Sequence, residues 1–390
     1  MIDLKRALTL VLALGCGKRD SQGLPPASDW EPSANASVAG ARADPVDDPR
    51  ARFVRCFAAE IMQAPEAANA MTIFARTAPA REVRAVVGSI ARDAQGLSEG
   101  ERAKVLGEAA WALAEVGASD DARAIARGCT ALLQDGQGGR LTCLAVLGRL
   151  DTIAEARVAA TQPMMLDAIA FGAAVARRDQ DARVIVAEIE GDPAAKLYVR
   201  SAIHLKTRAA LGDVAYVTAA LAAQTGSALL LDAGAVVEGG AHRRNDAVMH
   251  AGVAALARAT DVTTSAKARA LLGAAGTAAA AKSRVAVDDA IAQFEQLGAE
   301  ARVGLELVPV AVYATLGDVA EARRRFGPGG DAVDRQMFTA GLAAISGQWD
   351  DLPARVPANA VLAADLWGHA LAAKLDPARA GRVLDTFCPR

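Results

Sequence analysis

The sequence predicts an all-α fold, and three observations carry that reading. Apolar residues make up 52 % of the chain but aromatics only 4 %, and the apolar set is dominated by Ala with Leu and Val, which suits close helix packing better than sheets built on β-branched and aromatic residues. Helical periodicity begins near residue 51 and hardly stops, whereas no segment sustains period-two alternation. A stop-and-start pattern centred on Gly recurs along the chain. With 390 residues and 23 % charged side chains the chain can bury a substantial core. The net charge of −2 and pI near 6.2 exclude a global basic field that would draw it to nucleic acid or anionic lipid.

Residues 1–16 read as an export signal. Lys5-Arg6 is a short positive region, Ala7–Leu14 an apolar core too short to span a bilayer as a helix, and Gly15 precedes Cys16. The ending Leu12-Ala-Leu-Gly-Cys16 resembles the lipobox of bacterial lipoproteins. That resemblance implies cleavage before Cys16 and lipidation of its new N-terminus. It also implies a cell-envelope location, with Gly17 rather than Asp after the Cys pointing to the outer membrane facing the periplasm. Acyl chains contribute about 0.8 kcal/mol per buried methylene, enough to hold a domain at a membrane without a further apolar span. Residues 17–49 carry Pro25, Pro26, Pro32, Pro45 and Pro49 among Ser, Asp and Gly and lack apolar periodicity, the composition of a disordered tether.

Residues 50–390 then read as one helical-repeat domain. Ser98 and Glu101 predict a capping box, followed by Val105, Leu106, Ala109, Ala112, Leu113 and Val116 on one helical face. After a break at Gly117 the next face is Ala122, Ile125, Ala126, Cys129, Leu132 and Leu133. Further breaks are expected at 135–139, Gln162-Pro163, 191–193, Gly239-Gly240, 327–331, Pro357 and Asp376-Pro377. Residues 239–298 have the weakest punctuation, and their pairs cannot be placed. Ala219–Val237 reads as a buried helix, since Gln224, Ser227 and Asp232 interrupt it as a membrane span.

The clearest unit is Val310–Phe326, where Gly317 can end a helix in the left-handed conformation and Asp318 can cap the next with Glu321 three residues on. Similar junctions fall at Gly117, Gly148 (with Thr152 and Glu155 as a capping box), Gly212 and Gly347. These glycines lie 31, 64, 105 and 30 residues apart, near-multiples of a period of about 30–35. Leu316-Gly-Asp318 followed by Ala320-Glu-Ala322, and Gly347-Gln-Trp-Asp-Asp351, resemble the junction between the two helices of a tetratricopeptide repeat. The resemblance covers about half of each unit; the family's aromatic marks and closing Pro are mostly missing. It implies an α-solenoid of antiparallel helix pairs whose concave surface binds peptides or folded partners. A HEAT-like solenoid and a non-repetitive helical domain remain alternatives.

With Cys16 assigned to lipid, Cys56, Cys129, Cys143 and Cys388 remain. Cys129 and Cys143 flank the turn at Gly136 on two arms of an expected hairpin and form a candidate disulfide in an oxidising compartment, the alternative being two buried thiols. Cys56 and Cys388 sit at the two ends of the array and can meet only if it curls into a near-closed ring.

No catalytic, metal or cofactor motif is present. His204, His242, His250 and His369 make no metal-binding pattern and read as surface or satisfied helix histidines. Gly276–Ser283 has the outline of a phosphate loop but lacks its second Gly, and Gly327-Pro-Gly-Gly330 lacks dinucleotide-loop spacing. Asp120-Asp121, Asp288-Asp289 and Asp350-Asp351 read as acids at helix starts, and Arg323–Arg325 as cations at a helix end. The leading expectation is therefore a lipid-anchored envelope scaffold for a protein or peptide ligand, without enzymatic activity. The alternative is an envelope hydrolase using paired carboxylates.

Overall fold

The computed structural model describes residues 48–132, 137–327, 332–357 and 359–388. The expected signal, Cys16, the tether up to residue 47 and most of Gly327–Gly330 lie outside these residues. Within them the fold is all-helical, with 21 α-helices and no strand. The first, α1 (Pro49–Gln63), starts at the last residue expected of the tether, with Asp48 accepting from Arg50 N at its N-cap.

Then come α2 (Ala70–Thr77) and α3 (Ala80–Asp93), α4 (Glu99–Glu115) and α5 (Ser119–Thr130), α6 (Gln137–Arg149) and α7 (Ile153–Ala159), and α8 (Pro163–Val175) and α9 (Asp179–Gly191). They are followed by α10 (Ala202–Ala210) and α11 (Val214–Ala222), α12 (Gly226–Arg243) and α13 (Asp246–Arg258), and α14 (Thr264–Ala280) and α15 (Arg284–Glu295). A four-residue α16 (Ala299–Arg302) precedes α17 (Val308–Leu316) and α18 (Val319–Arg325), then α19 (Ala332–Ser346), α20 (Ala360–Ala372) and α21 (Pro377–Phe387).

Each pair is in contact, and a second set of contacts links one member of each pair to the next: α2 to α4, then α6, α8, α10, α12, α14, α17, α19 and α20 in turn. α20 packs against α2, so this circuit closes on itself. Its members are the apolar helices. Ten of the thirteen residues of α20 are buried, while partners such as α5 and α9 bury one stripe and expose the other face.

The closing contacts are aromatic and covalent. Phe53 of α1 stacks on Phe57 and Trp367 at 5.1 and 5.4 Å between centroids and meets Phe387 edge-on. Arg52 donates to Asp385 at 2.7 Å and to the Cys388 carbonyl. Cys56 is disulfide-bonded to Cys388 across 332 residues of sequence, with Cα atoms 6.1 Å apart. Cys129 and Cys143 form a second disulfide, Cα to Cα 6.3 Å.

Local grammar explains many boundaries. Gly117, Gly212, Gly317 and Gly347 all have positive φ, and Asp318 accepts from Glu321 N at 3.0 Å. Ser98 and Glu101 make their capping box, and Ser201, Asn245, Thr263, Ser283, Asn359 and Asp376 each cap a helix through a side-chain oxygen.

Several expectations fail. Gly148 is not a turn; it lies inside α6, where a Cβ would stand 2.3 Å from the Ile169 carbonyl of α8, so it permits close helix approach, and the turn falls at Asp151. Gly239 and Gly240 are likewise inside α12, packed on Lys206 O and Val248. Thr152 does not form a capping box: its hydroxyl donates to Leu147 O, and Glu155 pairs with Arg127. Ala219–Val237 is two helices, parted at Ala223–Thr225 before Gly226, whose φ is +62°. Asp288-Asp289 sit in the second turn of α15 and bind Arg284, Tyr313 and His250. The expected break at 135–139 ends early, since α6 begins at Gln137.

Candidate recess enclosed by alternate helices

Seven successive members of the circuit, α2 through α14, turn one face each toward two adjoining recesses. The smaller has a volume of about 300 Å³ and the larger about 830 Å³, and they share Asn69, Arg76, Glu238 and His242. The lining positions follow helical spacing: Asn69, Thr72 and Arg76; Glu108, Trp111 and Glu115; Leu141, Thr142 and Ala145; Lys206 and Thr207 after Ile203; Leu231, Gly234, Glu238 and His242. Each helix therefore buries three sides and shows the fourth.

The floor is an aromatic cluster. Trp111 and Phe171 stack with centroids 6.2 Å apart, and His242 meets both edge-on at 5.6 and 5.2 Å. Arg149 lies 5.0 Å over Trp111 and Lys206 4.5 Å over Phe171. The same two cations hold carboxylates: Arg149 donates to Glu115 at 3.1 Å and Lys206 to Glu238 at 2.5 Å.

The titrating groups are pushed apart. Burial drives Glu108 upward against its one hydrogen bond, from Thr72 at 3.1 Å, and against the charges of Lys206 and Arg76. Burial pushes Glu115 up as well, but the charge and hydrogen bonds of Arg149 outweigh it and leave the group below its ordinary value. Although 48 % of the Glu238 side chain touches solvent, the surrounding helices displace water from it and push it up. Lys206, by its charge and its hydrogen bond, overrides that and holds it low. Burial, aided by Lys206, drives His242 down to about 4, so it is neutral at pH 7.

Arg76, at the end of α2, adds to the field at Glu108, Glu115, Glu238 and His242 but makes no hydrogen bond or ion pair among the described residues. Asn69 Oδ1 is buried without a partner among the described residues.

The histidines separate by environment. His250 is exposed and 3.1 Å from Asp289. His369 is bonded to Asp365 O. His204 is fully buried between Asp167 (2.9 Å) and Glu190 (3.0 Å). His242 departs from the expectation of a surface or satisfied histidine, because it lines the recess with ring contacts and no side-chain hydrogen-bond partner among the described residues. Of the acids singled out in sequence, Asp120-Asp121 stand in the first turn of α5 as expected and Asp350-Asp351 in a single 3-10 turn, Trp349–Asp351, and none of them lines either recess. Arg323–Arg325 end α18, where Arg325 pairs with Glu295 and Glu321. Gly276–Ser283 is largely the end of α14. No group of three or more His, Cys, Asp or Glu among the described residues could hold a metal, and no helix of theirs is long and apolar enough to cross a membrane.

The polar recess residues could not be picked out in the sequence because each stands isolated among apolar neighbours in its helix. The available signal was polar residues at i and i+3 or i+4 on helices otherwise apolar all round, as at Glu108, Trp111 and Glu115. Compared with family models, with curated proteins and with solved structures, the chain matches none.

Proposed function

We propose that this is a binding protein whose helix pairs form an α-solenoid closed on itself, receiving a peptide or small ligand in the recess between alternate helices. The observation that carries the proposal is the preformed recess, with an aromatic floor, two fixed ion pairs and polar groups, Arg76 and Asn69 Oδ1, that no group among the described residues satisfies. Buried polar groups are ordinarily hydrogen-bonded, and concave sites with a few convergent polar groups are where ligands bind. At about 830 Å³ the space suits an extended segment or a small molecule better than a folded domain. The lipobox-like Leu12–Cys16 supports placement at the cell envelope through a lipid on Cys16, with the residues before α1 as the tether.

The test uses Gly234, which lines the larger recess and has open space where a Cβ would stand. A peptide library panned against the wild-type chain and Gly234→Trp should yield sequences retained by the first and lost by the second. Equal retention by both would place binding elsewhere and defeat the proposal.

One observation favours a second reading, a hydrolase acting through paired carboxylates: in the smaller recess Glu108 is raised while Glu238 is lowered, the separation that distinguishes an acid from a base. Turnover of envelope glycans that vanishes in Glu108→Gln would favour it over the binding role.

A further inference from the structure

We propose that the larger recess takes a ligand bearing two or more acidic groups, carboxylate or phosphate, set against an apolar wall. This rests on the reading of the recess as the ligand site and adds the chemistry it selects.

The larger recess holds an excess of positive charge. Arg76, Arg244 and Arg269 all line it, and none of their guanidiniums has a hydrogen-bond or ion-pair partner among the described residues. The two carboxylates that line it are already engaged, Glu115 by Arg149 and Glu238 by Lys206. The guanidiniums therefore carry uncompensated charge. A guanidinium cannot discharge itself by losing its proton, whereas Glu108 in the adjoining recess can become neutral by gaining one, as its upward shift favours. Concave walls of low dielectric focus such a field. The contrast with the chain as a whole is plain: the net charge is −2, yet this recess is cationic.

Arg76 stands on α2 and Arg269 on α14, the first and last in chain order of the helices lining the recess, so a ligand with two acids has two guanidiniums to engage, each with the bidentate geometry that guanidinium offers to carboxylate or phosphate. Leu230 and Leu231 of α12 line the same recess. Leu231 is 67 % exposed, an uncommon exposure for a leucine inside an enclosure, and it gives an apolar body something to cover. One acid chemistry can come from two sources, an acidic peptide or a small di-acid.

The experiment is fluorescence anisotropy on the full chain with two labelled hexapeptides, alternating Asp-Leu and alternating Lys-Leu, with glutarate and inorganic phosphate as competitors. Proteins compared are wild type, Arg76→Gln, Arg269→Gln and Gly234→Trp. Arg269 is exposed, so its replacement leaves folding intact if Arg76→Gln does not. The proposal expects the Asp-Leu peptide alone to bind, about tenfold more weakly in either arginine variant, more weakly in 300 mM than in 50 mM salt, and not at all to Gly234→Trp. Displacement by millimolar glutarate or phosphate assigns the source to a small acid, and its absence to an acidic peptide; both agree with the proposal. If the Lys-Leu peptide binds as tightly and is lost in Gly234→Trp, the recess stands as the site and the acidic class is overturned. Asp-Leu binding that survives all three substitutions overturns both. Failure of every acidic probe to bind the wild type overturns the acidic class.

Discussion

His204 shows how much a single residue fixes behind the recess. Its two ring nitrogens face Asp167 and Glu190, Tyr198 donates to Asp167 at 2.7 Å, and Arg208 reaches both Glu190 and Asp213. Burial alone would lower the imidazole, but the two carboxylates outweigh it and raise it. His369 is raised in the same way to about 9, burial being overcome by Asp365. A histidine whose folded value lies above its unfolded value, near 6.5, contributes stability that is complete below pH 6.5 and lost as pH rises through the folded value. His242 works in the opposite direction: lowered to about 4, it costs stability as pH falls from 6.5 toward 4. The melting temperature should therefore peak near pH 6.5. In His369→Gln the decline between pH 6.5 and 9 should become shallower, as followed by circular dichroism. A decline of unchanged slope would contradict the assignment. Replacing His204 by Ala should cost about 3 kcal/mol, because it strips a fully buried carboxylate of a charged partner, and denaturant unfolding measures it.

Elements were legible where the turn chemistry was local and opaque where tertiary approach decided. Gly317-Asp318, Gly117 and Ser98 with Glu101 could be read directly, because positive φ and side-chain caps involve only neighbouring residues. Gly148, Gly239 and Gly240 looked the same in sequence but serve packing between helices, and nothing in a single sequence separates the two uses. The helices of the circuit start 24 to 44 residues apart, which is why the period showed only as near-multiples and why residues 239–298 resisted division. The packing use is testable at Gly172 of α8, where a Cβ would lie 1.8 Å from the Ala145 carbonyl of α6. Ala in place of Gly within a helix ordinarily gains about 0.5–1 kcal/mol, but overpacking against backbone costs about 1–3 kcal/mol, so the clash wins. Gly172→Ala should lower stability by about 2 kcal/mol in urea titration, whereas Gly128→Ala, with nothing near its Cβ, should raise it slightly. Equal effects would contradict the close approach of α6 and α8.

For the whole molecule, the all-helical class followed from composition and periodicity, but the meeting of the two ends did not. A linear array and a closed one share the same local pattern; what distinguishes them is the summed rotation of successive pairs, which no local stretch encodes. Cys56 and Cys388 were the one trace of it, since an oxidised pair so far apart in sequence requires the ends to meet. Closure matters to the recess because α2, which supplies Asn69, Thr72 and Arg76, is held on one side by α4 and on the other by α20, whose Gly368 abuts Thr77. A crosslink spanning 332 residues restricts the unfolded chain strongly, on a loop-entropy argument by up to about 5 kcal/mol, and Cys388→Ser should lose a large part of that. The most direct measurement is non-reducing peptide mapping of the oxidised protein by mass spectrometry. The account predicts one peptide pair linked through Cys56 and Cys388 and another through Cys129 and Cys143. Free thiols at 56 and 388, or either one paired with Cys129 or Cys143, would contradict the closed circuit on which the recess depends.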